Sequence, residues 1–172
     1  MKYCSHCGNK LSVIEPNVHW ECLSCAKHHY ANPIPTVDVA FFDEAGKVLL
    51  GVRKNAPCKG KLNLPGGFVD LMETLEDAAE REIHEELGLG KTAYSELVYV
   101  GSRSDNHAEE GDPRQRLGFL FYCDIQHRDF SPSDEVSEYI WKLPAAINTV
   151  DMTSEYEYKI LILAAKMWSK AR

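Results

Sequence analysis

Three glutamates crowd a short stretch of this 172-residue chain: Glu82, Glu85 and Glu86, just beyond a Leu64-Pro65-Gly66-Gly67 turn. Carboxylates packed together repel one another unless a cation sits among them. Hard divalent ions with oxygen ligands are the natural partner. The first chemistry implied is a Mg²⁺ (or Mn²⁺) site, and such ions mostly serve reactions of phosphates. Residues 73–86 hold seven carboxylates against one arginine, Arg81, so one guanidinium does not neutralise the group. Gly66 and Gly67 let backbone approach a ligand closely. Glu73 either adds a metal ligand or holds the turn to the following helix, and Arg81 orients the carboxylate beside it.

The element that must carry these groups is a helix. Thr74 followed by Asp77 predicts its N-cap and Gly88 its stop, which gives a span of about Leu75 to Leu87. At about 100° per residue, Leu75, Ala78, Ala79, Ile83 and Leu87 share one side, with Glu76, Asp77, Glu80 and His84 opposite. Glu82 and Glu86 fall inside the apolar arc and Glu85 at its edge. Solvated surface charge accounts for Glu76 and Glu80. It does not account for Glu82 and Glu86, because carboxylates withdrawn from water are costly unless paired.

A second constellation lies at the N-terminus. Cys4-Ser5-His6-Cys7 and Cys22-Leu23-Ser24-Cys25 are two CxxC pairs separated by 14 residues. That spacing, one residue short of the usual template, fits a four-thiolate zinc ribbon with Cys4, Cys7, Cys22 and Cys25 as ligands to a structural Zn²⁺, although iron fits the same spacing. Gly8 suits the tight knuckle. His6 and His19 are read as surface residues, and His28 and His29 as polar groups of a linker. That linker, Tyr30-Ala31-Asn32-Pro33-Ile34-Pro35, is held extended by its prolines. The organisation is therefore residues 1–34 as ribbon and linker, and 35–172 as the main domain.

In the main domain, Thr36 to Phe42 and Lys47 to Arg53 read as a hairpin turning at Asp43-Glu44-Ala45-Gly46. Glu96 to Ser102, Leu117 to Ile125 and Ser137 to Leu143 read as further strands. The loop from Arg103 to Arg116 is long and charged, as functional loops often are. Ser154 and Glu157 predict a capping box for a last helix whose stripe is Ile160, Leu163, Ala164, Met167 and Trp168. Cys58 and Cys123 have no CxxC partner and read as ordinary thiols.

Composition narrows the partners. Net charge is −7, so bulk electrostatics opposes nucleic acid. Residues 1–30 carry three lysines and two glutamates, a net of +1, which leaves about −8 concentrated around the acidic helix. The longest late apolar stretch, Ile160 to Ala165, is too short to span a bilayer. The opening MKYCSHC has no apolar leader region, so the expected compartment is the cytoplasm, where thiols stay reduced.

The acidic segment resembles the Nudix box, G-x5-E-x7-R-E-U-x-E-E-x-G-U with U aliphatic. Gly67, Glu73, Arg81, Glu82, Ile83, Glu85, Glu86, Gly88 and Leu89 occupy every fixed position. The resemblance implies an α/β/α sandwich around a mixed sheet, and Mg²⁺-dependent hydrolysis of a nucleoside diphosphate linked to another group. It implies catalytic roles for Arg81, Glu82, Glu85 and Glu86, with Glu82, Glu85 and Glu86 as metal ligands. The general base stays open among Glu82, Glu85, Glu109, Glu110 and Glu138. The ribbon pattern YCSHCG…ECLSCAKHHYANP is similar to extensions found before Nudix domains that cleave ADP-ribose, FAD or NADH.

The NADH pyrophosphatase and RNA deNADding branch carries a Ser-Gln-Pro-Trp stretch after the box. This chain has Val98-Tyr99-Val100-Gly101-Ser102-Arg103 instead. ADP-ribose, FAD or a related dinucleotide therefore ranks first, and NAD(H) is the alternative. A non-catalytic nucleotide-sensing regulator is the rival of another class, disfavoured by the complete set of box carboxylates. Arg53, Arg103, Arg114 and Arg116 are candidate phosphate contacts, with solvated loop charge the plainer account of each. Tyr99, Phe119 and Tyr122 could stack on a base but read more simply as core. A homodimer is compatible with the family.

Overall fold

The computed structural model describes residues 2–56, 58–105, 115–126, 130 and 133–172. The chain forms two compact units, Met1–Pro33 and Ile34–Arg172.

In the first unit, β1 (Ser12–Glu15), β2 (His19–Glu21) and β3 (His28–Tyr30) form an antiparallel sheet in that order. The unit is too small for a large core; Cys4, Trp20 and Cys22 are its buried apolar residues. Its two CxxC segments fold alike. Gly8 N donates to Cys4 O and Ala26 N to Cys22 O, while Cys4 N reaches Asn9 O and Cys22 N reaches Lys27 O. Gly8 and Ala26 both adopt left-handed backbone, φ +74° and +53°, which is unfavourable for alanine. His28 and His29 belong to β3, not to a linker. The backbone of His29 completes a ladder pair with Trp20, so the linker starts only after Tyr30.

The second unit is a mixed sheet with a helix on each face. Its strands are β4 (Ile34–Phe42), β5 (Val48–Arg53), β6 (Leu62–Asn63), β7 (Gly66–Phe68), β8 (Val98–Asp105), β9 (Arg116–Asp124) and β10 (Val136–Lys142). The order is β10-β5-β4-β9-β8, with β6 on β5 and β7 on β4. Among the described strand pairs only β4 and β9 run parallel. The helices are α1 (Leu75–Leu87) and α2 (Glu155–Lys170).

Strand alternation explains the two layers. Val37, Val39 and Phe41 of β4 pack with Ala78, Ala79, Ile83 and Leu87 of α1. Ala40 and Phe42 face the other way, against Ile160, Leu161 and Ala164 of α2. Trp168 stacks on Phe42 at 5.0 Å and donates from Nε1 to Asp124 at 2.7 Å. In α2, Leu161 takes the buried place expected of Leu163.

The expected hairpin turn forms: the Asp43 carboxylate accepts from Lys47 N at 2.7 Å. Both ends of the charged segment 103–116 belong to strands, since β8 runs to Asp105 and β9 starts at Arg116. Residues β6 and β7 had no alternation to betray them. They are strands because β4 and β5 offer them backbone partners.

Candidate functional site

α1 forms where its caps dictate. Asp77 N donates to Thr74 Oγ1 at 3.1 Å and Thr74 N to Asp77 Oδ2 at 3.4 Å, a reciprocal capping box. At the other end Gly88, at φ +67°, donates to His84 O. With Ala78, Ala79, Ile83 and Leu87 buried, Glu82 and Glu86 are drawn to the rim of the core beside β7. The backbone there is fitted to them. A Cβ on Gly67 would come within 2.3 Å of Glu82 Oε1, and one on Gly66 within 2.1 Å of Val37 O. Only glycines allow β7 to lie between the acidic helix and β4.

Arg81 is the hub. Its Nε and Nη2 grip Glu73 Oε1 and Oε2 at 2.7 and 3.0 Å, a fork-to-fork pair. Nη1 reaches Glu82 Oε1 at 2.8 Å and Glu85 Oε2 at 3.1 Å, and Nη2 also donates to Phe68 O at 2.8 Å. Glu73 accepts from Asp70 N as well. Of its two expected roles, the geometry displays the one that holds the turn to the helix.

The electrostatics sort the carboxyls. The Arg81 hydrogen bond holds Glu73 below the usual carboxylate range. Burial pushes Glu82 up in spite of Arg81. Glu86 accepts from Gly66 N at 3.0 Å, yet burial pushes it up to about 8. Glu85 remains largely exposed. Half-buried carboxyls with too little counter-charge suit a bound cation, which would favour their ionised form. Donor chemistry thus fits Mg²⁺ or Mn²⁺ at Glu82, Glu85 and Glu86.

These groups line a cavity of about 690 Å³. Arg53 and Arg116 line it too, whereas Arg103, exposed on β8 opposite Gly118, does not. Arg114, Glu109 and Glu110 lie outside the described residues. Glu138 is exposed on β10 and does not reach the cavity; Glu135, three residues earlier, does, and its charge acts on both Glu82 and Glu86. Sequence reasoning missed Glu135, which sits in a polar loop without periodicity. It also missed Asp38, Asn63 and Tyr156 in the cavity wall.

Glu157 corrects the second capping box. Ser154 does cap α2, accepting from Glu157 N at 3.0 Å. The Glu157 carboxylate, however, is buried in the cavity wall, where Leu64 N and Thr153 Oγ1 donate to it. A helix end buried against the β6–β7 turn offers stronger partners than its own N-cap. Of the aromatic candidates, Tyr122 is buried and Phe119 packs against the α1 core, but Tyr99 is 47% exposed.

In the first unit, Cys4, Cys7, Cys22 and Cys25 bring their sulfurs within 4.8 Å of one another. Cys4 and Cys25 are 3.7 Å apart, Cys7 and Cys22 3.4 Å. Tetrahedral zinc with bonds of about 2.3 Å requires sulfurs roughly 3.8 Å apart, so the cluster fits. Hydrogen bonding from Asn9, chiefly its backbone, lowers Cys7 to about 6 and favours the thiolate. His29 Nε2 lies 3.2 Å from Cys4 Sγ, a supporting contact. His19 Nε2 and His28 Nδ1 are 2.8 Å apart; His28 is exposed, whereas His19 is half-buried and stacks on Tyr30, not the free surface residue expected. Among the described residues this is the only group of three or more Cys, His, Asp or Glu ligands so clustered. No described helix is long and apolar enough to cross a membrane.

Comparison with known proteins agrees with this geometry. Residues 32–161 match the family model described as the NUDIX domain. The chain is 38% identical over 110 residues to the ADP-ribose pyrophosphatase of Methanocaldococcus jannaschii, covering 63% of this chain and 61% of that protein. It is 31% identical over 104 residues to the NAD-capped RNA hydrolase NudC of Haemophilus influenzae, covering 59% of this chain and 38% of that one. The match therefore spans less than two thirds of the length of these curated relatives. A crystal structure of a NUDIX hydrolase from Nitrosomonas europaea superposes with a TM-score of 0.77 at 28% identity, covering 100% of this chain and 94% of that one.

Proposed function

The chain belongs to the NUDIX family, and from that membership we propose that it hydrolyses the diphosphate of a nucleoside diphosphate linked to another group. ADP-ribose, FAD or a related dinucleotide is the preferred substrate. One observation carries the reading: Arg81 fixes Glu82 and Glu85 beside the half-buried Glu86, at the edge of a cavity about 690 Å³ in size. That volume lies within the roughly 300–1,000 Å³ usual for small-molecule sites.

A divalent cation, Mg²⁺ or Mn²⁺, would supply charge neutralisation at the diphosphate and a more acidic water. Glu82, Glu85 and Glu86 would hold it, and Glu73 would act through Arg81. Arg81 holds Glu82 and Glu85, and Gly66 N holds Glu86, on one side of the cavity, where a cation would draw the three together. Arg53, whose charge acts on Glu86, would meet the outer phosphate oxygens. Glu135, which lines the cavity and acts electrostatically on Glu82 and Glu86, is the preferred general base, ahead of Glu138, which does not line it. The ribbon, residues 1–34, would be a structural Zn²⁺ module, and 35–172 the hydrolase domain. A cytoplasmic location, where its thiols stay reduced, belongs to the same proposal.

The ADP-ribose pyrophosphatase relative supports this ranking over NAD(H), since it matches at higher identity and over more of its length than the NAD-capped RNA hydrolase. NAD(H) cleavage remains the alternative. A hydrolysis panel of ADP-ribose, FAD, NADH, NAD⁺ and nucleoside triphosphates with Mg²⁺ or Mn²⁺ tests the choice. Preference for NADH would reverse the ranking, and inertness toward the whole panel would defeat the proposal.

A further inference from the structure

Glu157 is a buried carboxylate to which the hydrolysis gives no part, and it reaches the turn that joins β6 to β7. Pro65 in that turn has no N–H. The N–H groups on either side of it both donate to carboxylates, Leu64 to Glu157 of α2 and Gly66 to Glu86 of α1. The two helices thus hold one turn from opposite faces of the sheet. Between these contacts the Pro65 carbonyl accepts from Val39 N of β4 at 2.8 Å. Glu157 is itself well held. It is 5% exposed, its carboxylate also accepts from Thr153 Oγ1, and its N–H donates to Ser154 Oγ at 3.0 Å. Thr153 N donates to Leu62 O at 2.9 Å, which ties the start of α2 to β6. A carboxylate in the first turn of a helix is further favoured by the helix dipole. Glu157 therefore has partners suited to its charge within the fold, which Glu82 and Glu86 lack.

We propose that Glu157 is a positioning residue for the cation centre: it fixes Leu64-Pro65 so that Gly66 N stays aimed at Glu86. This rests on the reading of Glu82, Glu85 and Glu86 as cation ligands, and adds α2 to the elements that build their site. Hydrogen bonds from N–H groups to a carboxylate are of the strong, charge-assisted kind. A buried N–H deprived of its acceptor has to turn toward another. The Pro65 ring fixes its own φ, so the peptide units on its two sides move together. Turning the Leu64 N–H away from α2 therefore takes Gly66 N off Glu86. Groups that only orient metal ligands govern metal affinity nearly as strongly as the ligands do. Glu157 acts in this way through four bonded or hydrogen-bonded steps, without meeting the cation.

Mn²⁺ binding to the full-length protein, read from loss of the free-ion electron paramagnetic resonance signal, tests this without turnover. Glu157→Leu removes the acceptor at similar volume and weakens Mn²⁺ roughly tenfold to a hundredfold. Glu157→Gln keeps an oxygen for Leu64 N and offers its amide to the Thr153 hydroxyl, so it binds Mn²⁺ as wild type does. Thr153→Val removes one donor from the carboxylate and weakens Mn²⁺ by a smaller factor. Thermal melts show which variants are folded. Wild-type Mn²⁺ affinity in folded Glu157→Leu would leave Glu157 a purely structural role and overturn the proposal. If that variant does not fold, wild-type affinity in Thr153→Val overturns it instead. Equal losses in Glu157→Gln and Glu157→Leu would make the charge itself responsible and overturn it too. Wild-type protein that neither binds Mn²⁺ nor cleaves ADP-ribose would remove the cation reading itself.

Discussion

Glu86→Gln separates stability from activity. Burial holds the Glu86 carboxyl at about 8 against an ordinary 4.5, so the folded, ion-free protein binds a proton that the unfolded chain releases. The stability this gives is fully present below pH 4.5 and is lost as pH rises to 8. At pH 8 the cost of ionising Glu86 is on the order of 4 kcal/mol, and at pH 6 about half that. Glutamine keeps an oxygen for the Gly66 N–H and carries no charge. In Mg²⁺-free buffer at pH 8, without a strong chelator so that zinc stays bound, the variant should melt higher than wild type. At roughly 2–4 °C per kcal/mol the gain is about 8–15 °C, shrinking to little at pH 5. Saturating Mg²⁺ should raise the wild type and leave the variant behind, while hydrolysis by the variant falls by orders of magnitude. A variant that melts at or below wild type in Mg²⁺-free buffer at pH 8 would refute the burial argument.

The other outcomes follow from named contacts. Arg81→Lys replaces a fork that grips Glu73, Glu82, Glu85 and the Phe68 carbonyl with one point charge. Turnover should drop about 10²-fold through misaligned carboxylates, measured as kcat at saturating Mg²⁺; wild-type kcat would contradict the hub. Cys22→Ser should lower zinc content, read by elemental analysis, from one ion per chain to well below one. A full zinc complement in that variant would exclude Cys22 as a ligand. Ala26→Gly relieves a left-handed alanine and should stabilise the ribbon by about 1 kcal/mol, seen as slower zinc loss to a chelator. Faster loss would show that the backbone there is not strained.

The parts of this protein legible in its sequence are those written locally. Thr74, Asp77 and Gly88 fix the limits of α1, and two glutamates inside an apolar arc mark the candidate site before any contact is known. CxxC spacing likewise gives the cysteine cluster. What stayed hidden depends on distant partners. Glu135 is a loop residue until β10 pairs with β5 and brings it to the cavity. Glu157 obeys a local capping pattern, yet Leu64 and Thr153 capture its carboxylate. His29 looked like linker because a three-residue strand carries no period, and only pairing with β2 turns it toward Cys4.

The most direct test of the central claim is the rate of ADP-ribose hydrolysis as Mg²⁺ is titrated, for wild type and Glu82→Gln in parallel with products identified. The account predicts AMP and ribose 5-phosphate, a rate that is negligible without divalent ion and rises to saturation, and a loss of orders of magnitude in folded Glu82→Gln. Undiminished, metal-independent hydrolysis in that variant would contradict it.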